Sequence, residues 1–262
     1  MKMSISNIAW DSKYNITVFE LMKKYRYSGL EIAPTKIVSS RPYEHIDEAK
    51  QFTDKINNDY GIVISSIQSI WYGRNEKIFG SEEERKTLLD YTKKAIDYAS
   101  SIDCHNLVFG CPRNRYINNE SDYDIAVSFF KKLGDYAYSR NTCLGMEANP
   151  PIYNTNFIND TKSAIKLIED VGSKGFLLNL DVGTMIYNEE SAAILENNTQ
   201  FINHVHISEP HLKKIKKRKL HNELKDLLVK NEYTGYISIE MAITDDLNLL
   251  EETMIYVSEV FG

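Results

Sequence analysis

Polar and apolar residues alternate from Asn203 to Pro210, which predicts a β-strand with one polar face. His204, His206 and Ser208 share that face, and Val205 and Ile207 take the other. Pro210 cannot join a strand ladder, so the strand should stop near Ser208. Similar short runs rich in apolar residues recur along the chain and predict strands over residues 3–9, 28–32, 62–69, 105–109, 143–147, 176–181, 204–208 and 236–240. Between them lie longer amphipathic segments, which predict helices over 16–25, 44–60, 82–102, 121–140, 160–171, 189–197, 217–230 and 246–260. Local signals punctuate several of these. Ser81 with Glu84 reads as a capping box, Ser121-Asp122 as a helix start and Gly172 as a helix stop.

Strand and helix thus alternate through eight units, with no Gly-, Ser- or Pro-rich linker between them. The expected architecture is α/β, a single (β/α)8 TIM barrel spanning residues 1–262. Such a barrel typically needs about 250 residues. A doubly wound open sheet is the alternative, but the first strand–helix turn lacks the GxGxxG fingerprint that would favour it.

Composition narrows the function classes. A net charge of −6 argues against general affinity for nucleic acid or anionic membranes. No 18-residue apolar run is present, and Met1-Lys2-Met3-Ser4 leads straight into the first strand, so neither a membrane span nor a signal peptide is expected. Cys104, Cys111 and Cys143 form no CxxC, and pairing two would leave one over, which fits a reduced, cytoplasmic protein. The 17 tyrosines are compatible with a homo-oligomer.

The chemistry is concentrated at strand ends. Glu147, Asp181, His206 and Glu240 close four successive predicted strands, at the carboxyl end where barrels place their active sites. Each follows an apolar residue, so all four can face the barrel axis together. Three buried carboxylates without a cation would raise one another's pKa, so the set predicts a divalent-metal site suited to Mn²⁺, Mg²⁺, Co²⁺ or Zn²⁺, Mn²⁺ foremost. Arg115, after the fourth strand, is the candidate for gripping an anionic substrate group. Asn149, Gln68, Glu31, Asn7 and Glu209 are candidate substrate hydrogen-bonding groups, and His204 reads as a core histidine one layer below His206. The basic run Lys213–Lys219 reads as a solvated face whose place after the seventh strand also allows it to cover an anionic substrate, and Trp71 with Tyr72 as loop packing or an aromatic wall for a ligand ring.

Residues from the first strand to the last also carry a resemblance. Ser6–Trp10, Gly29–Pro34, Phe109–Arg115, Glu147–Pro150, Leu180–Gly183, His204–Pro210 and Ser238–Met241, in that order, resemble the xylose-isomerase-like TIM-barrel superfamily, in its sugar (phosphate) isomerase/epimerase branch. The resemblance implies one divalent metal held by Glu147, Asp181, His206 and Glu240, with Glu147 and Glu240 as acid and base on opposite faces of a small-molecule sugar. A metal chelating a ketose carbonyl and the neighbouring hydroxyl would stabilise the enediolate formed when one carboxylate removes the intervening proton.

The chain departs from the sugar 3-epimerases at three positions. Thr184 stands where they carry a His, Leu212 where they carry an Arg and Tyr153 where they carry a helper Glu. Two alternatives therefore remain open at this level. One is a metal-dependent hydrolase or lyase on the same barrel, including the abasic-site nuclease branch, which uses more metals and more histidines. The other is a non-catalytic sugar-binding barrel.

Overall fold

The computed structural model describes residues 1–262 and closes eight parallel strands into a barrel in sequence order, β8 pairing back onto β1. The strands are β1 (Lys2–Ser6), β2 (Tyr27–Ile32), β3 (Val63–Ile67), β4 (Leu107–Phe109), β5 (Leu144–Met146), β6 (Phe176–Asp181), β7 (Ile202–Ile207) and β8 (Tyr236–Ile239). The helices are α1 (Asn15–Lys24), α2 (Ile46–Tyr60), α3 (Glu82–Ser101), α4 (Asp122–Ser139), α5 (Thr161–Val171), α6 (Val182–Tyr187), α7 (Lys219–Lys230) and α8 (Leu247–Phe261). The expected TIM barrel is the observed fold. No helix is long and apolar enough to cross a membrane.

Most boundaries fall within two or three residues of those expected, because caps and periodicity agree. Ser81 Oγ accepts the Glu84 N–H while the Glu84 carboxylate accepts the Ser81 N–H, closing the capping box that starts α3. Gly172, at φ +56°, ends α5 in the left-handed conformation that favours glycine. Ser121 makes no capping bond; the Asp122 carboxylate instead accepts the N–H groups of Asn118 and Asn119 and draws the preceding loop onto α4.

The sixth helix is the clear departure. The expected helix over 189–197 is only a short 3-10 turn at Ala192–Leu195, and α6 instead begins directly after β6. Asp181 caps it, accepting the Thr184 N–H. Gly183 permits the close approach: a Cβ there would lie 2.7 Å from Ser208 Oγ, so only glycine lets α6 rest against the end of β7.

Apolar residues pointing out of the strands, such as Ile5, Val205, Ile237 and Ile239, are fully buried against the helices in one core of 63 residues. The barrel interior is unusually polar. Ser4 and Ser65 share a hydrogen bond of 2.6 Å, and Asn106 donates to Ser66 at 2.8 Å. Gly29 must stay small because the Tyr236 ring packs over it: a Cβ there would lie 2.5 Å from the ring. A polar interior is stable only when its groups are paired, and the pairing prepares the layer above it.

Candidate metal centre and cleft

Register sets the site. Asp181 pairs with His206 across β6–β7, and His206 with Ser238 across β7–β8. Glu147 and Glu240 lie one position beyond β5 and β8 yet keep the ladder, donating backbone N–H bonds to Phe109 and Ile207 at 3.0 Å. The four expected metal ligands therefore rise to one level at the carboxyl end of the barrel. One donor atom from each of Glu147, Asp181, His206 and Glu240 lies within 4.8 Å of the others.

The donors are oriented by neighbours rather than by chance contact. His206 places Nδ1 2.9 Å from Glu147 Oε1 and 3.3 Å from Glu240 Oε2, while its Nε2 meets Glu31 Oε2 at 2.8 Å. Glu31 is itself fully buried and takes a bond from the Gln68 amide at 3.0 Å. A carboxylate behind the imidazole fixes which ring nitrogen faces the cluster, the arrangement that orients metal-ligating histidines. Asn179 and Asn149 each donate to the Glu147 carboxylate at 3.0 Å, and Ser208 donates to Asp181 at 2.6 Å. Gly110 leaves room for Glu147, because a Cβ there would sit 2.7 Å from Glu147 Oε2.

The electrostatics suit a cation. Burial pushes the Asp181 carboxyl up to about 6, with the Glu147 charge adding to it. Burial likewise lifts Glu240 to about 7, and the nearby Glu147 and Asp181 charges outweigh part of what His206 restores. Burial opposes the charge on His206, but the carboxylates around it win and its pKa rises well above the ordinary value. The imidazolium is thus the positive partner of the acids, in the place where a divalent ion would satisfy all three. A hard-leaning set of three carboxylates and one imidazole, with its outer hydrogen bonds in place, fits such an ion.

Above the cluster opens a cleft of about 180 Å³, lined among others by Gln68, Asn149, Tyr153, Ser208, Glu209 and Leu212. The drug-sized range starts near 300 Å³, so the space suits a small metabolite. Of the expected substrate groups, Gln68, Asn149 and Glu209 reach this cleft. Glu31 lies under His206 as its hydrogen-bond partner and does not line the cleft. Asn7 is elsewhere too, its side-chain oxygen taken by the Ala33 N–H at 2.8 Å.

Arg115 requires the largest correction. Its side chain is fully buried and does not line the cleft. The guanidinium donates to the backbone carbonyls of Glu147 (2.9 Å) and Phe157 (2.8 Å) and to Asn149 Oδ1 (2.6 Å). Burial lowers it to about 10, so it stays cationic near neutrality. It braces the β5 loop that carries Glu147 and Asn149 instead of gripping an anion at the rim. The surrounding sequence, Pro112-Arg113-Asn114-Arg115, holds no sign of which arginine turns inward.

His204 is a core residue, as its position below His206 implies. Its Nε2 lies 3.3 Å from Glu31 Oε2 but off the line of a hydrogen bond. Burial holds its pKa down. Trp71 is also core: it is buried, donates to Thr92 Oγ1 at 2.8 Å and packs edge-on to Phe109. Sequence reasoning missed Cys111 and Ser69, which line the cleft from the β4 and β3 ends. It also missed the bidentate clasp of Arg218 on Glu209, whose Nε–Oε1 contact is 2.7 Å.

The model of the xylose isomerase-like TIM barrel family matches residues 19–256. No curated protein matches the sequence. Among solved structures, the chain is similar to 3-keto-D-glucoside 4-epimerase from E. coli, with a TM-score of 0.80, 19% identity and 99% of each chain covered. It is similar to D-psicose 3-epimerase solved in the presence of D-fructose, with a TM-score of 0.82, 17% identity and 100% of each chain covered. An AP endonuclease of family 2 from Brucella melitensis aligns with a TM-score of 0.76, 15% identity and 99% of each chain. At these identities the likeness establishes a shared fold.

Proposed function

The chain belongs to the xylose isomerase-like TIM-barrel family, and from that premise we propose that it is an isomerase or epimerase of a sugar or sugar derivative, dependent on one divalent metal ion, Mn²⁺ by preference. The observation that carries this reading is the convergence of Glu147, Asp181, His206 and Glu240 within 4.8 Å beneath a cleft of small-metabolite size. These four residues would hold the ion. When bound, it would polarise a ketose carbonyl and the adjacent hydroxyl, making the C–H between them acidic.

Glu147 and Glu240 come from β5 and β8, on different sides of the cluster, and both border the cleft. One removes the proton next to the carbonyl, and the other returns one to the opposite face or to the neighbouring carbon. Asn149 and Asn179 hold the Glu147 carboxylate in place during the transfer, while Ser208 holds Asp181. That two of the similar solved structures are sugar epimerases supports a sugar as the substrate class. A nucleic-acid substrate fits less well, because no Lys, Arg or His lines the cleft to follow a phosphate backbone beyond the ion.

The test is isotope exchange. With Mn²⁺ in D₂O, proton NMR across a panel of ketoses should show deuterium entering the carbon beside the carbonyl of a substrate. Glu240→Gln keeps a weak ligand oxygen and should abolish the exchange while some of the metal is retained. A ketose that binds tightly without any deuterium uptake would favour a hydrolase or a plain binding protein.

A further inference from the structure

The loop leaving β7 is built to hold one apolar side chain in the cleft. Leu212 lines the cleft, and both it and His211 have left-handed backbone conformations, at φ +53° and +62°. A leucine at positive φ costs energy that an Asn or Gly would largely avoid. Such conformations persist where the surroundings over-determine them, and they cluster at functional sites.

The surroundings here do over-determine it. The Leu212 N–H donates to the Glu209 carbonyl at 2.8 Å, and the Leu212 carbonyl accepts from Ala242 at 2.8 Å. The His211 N–H donates to Tyr153 Oη at 2.8 Å, tying the β7 loop to the β5 loop across the cleft. The Glu209 carboxylate, clasped by Arg218, also accepts the Lys216 N–H at 3.1 Å and closes the neck of the loop. Ser69 and Cys111, on two other loops around the same cleft, are also left-handed, at +56° and +45°.

Building on the sugar-isomerase reading above, we propose that Leu212 is a specificity-determining residue and that the substrate is an uncharged ketose deoxygenated at the carbon facing it. Val108, Pro112 and Tyr153 also line the cleft, and Leu212 gives it an apolar surface on the side of the β7 loop. A hydroxyl pressed on this surface gives up water without a replacement partner, whereas a methyl group loses nothing. No Lys, Arg or His lines the cleft, so a phosphate held away from the ion would meet no cationic side chain there.

An apolar pocket discriminates against an added hydroxyl only moderately, by about 100-fold at most. With the Mn²⁺-loaded protein, 6-deoxyketohexoses should therefore exchange deuterium with kcat/KM about 10- to 100-fold above their 6-hydroxylated parents. The 6-phosphates should be the poorest of the three. Leu212→Asn suits the left-handed backbone and should fold at least as stably in urea titrations, while most of the deoxy preference is lost. Exchange on ketoses with no deoxy preference, or one that Leu212→Asn leaves intact, would overturn this proposal and leave the isomerase reading standing. Preference for the phosphates would do the same. No exchange on any ketose would overturn both.

Discussion

Glu31 illustrates how a residue away from the ligands can govern the site. It holds His206 through Nε2 and is held by Gln68. Losing such an outer hydrogen bond typically costs 10- to 100-fold in metal affinity. Glu31→Gln should therefore weaken Mn²⁺ binding by about that factor in calorimetry, without removing a ligand. Asp181→Asn and His206→Ala each remove a candidate ligand and should strip purified protein of most of the one ion per chain that elemental analysis should find in the parent. An unchanged Mn²⁺ affinity in Glu31→Gln would show that His206 needs no such support. Arg115 acts at the same scale. Arg115→Ala strands two buried carbonyls and Asn149 Oδ1, and should cost about 3 kcal/mol or more in urea unfolding. Arg115→Lys should recover little, since a single ammonium cannot span the same partners.

Among the elements, the strand ends do most to assemble chemistry, and α6 shows how tightly chain geometry and site are joined. Asp181 is at once a candidate ligand and the cap of α6, so Asp181→Asn also tests whether an amide can keep the cap. Asn is a good capping residue. The variant should lose metal yet keep within about 1 kcal/mol of parental stability when both are metal-free. A larger loss would mean that the Asp181 charge, and not its capping oxygen, anchors the helix. Gly183 stands nearby under a different constraint. Gly183→Ala should disturb the Asp181–Ser208 pair, because the added methyl meets both side chains, at 3.2 and 2.7 Å.

For the whole molecule, one buried histidine outside the candidate metal cluster should shape acid stability. His221 on α7 shares a hydrogen bond of 2.8 Å with the Tyr256 hydroxyl on α8, and burial lowers its pKa from 6.5 to about 4. Between those values the unfolded chain binds a proton that the folded chain refuses. Its contribution to stability is therefore complete above pH 6.5 and declines as pH falls toward 4, by about 3 kcal/mol at most. His221→Gln should be less stable at pH 7 but show a shallower loss on going to pH 5 in urea titrations. Parallel pH slopes for the two proteins would remove His221 as the cause.

At this scale the division between sequence and tertiary structure has a physical basis. Strand order and the barrel were legible because a period of two and a period near 3.6 alternate through the chain, and parallel strands of that length close in few ways. The convergence of the candidate ligand set was legible for the same reason: a residue at each strand end must reach the same rim once the barrel closes. Long side chains were not legible. Nothing local tells Arg115 to turn inward onto the carbonyls of the β5 loop, or Glu209 to meet Arg218 across a loop. Nor does the Val182-Gly183-Thr184 triplet announce a helix, since the space that admits Gly183 belongs to β7. Local periodicity determined which residues could face the axis; where the long polar side chains end was decided by partners that only folding brings together.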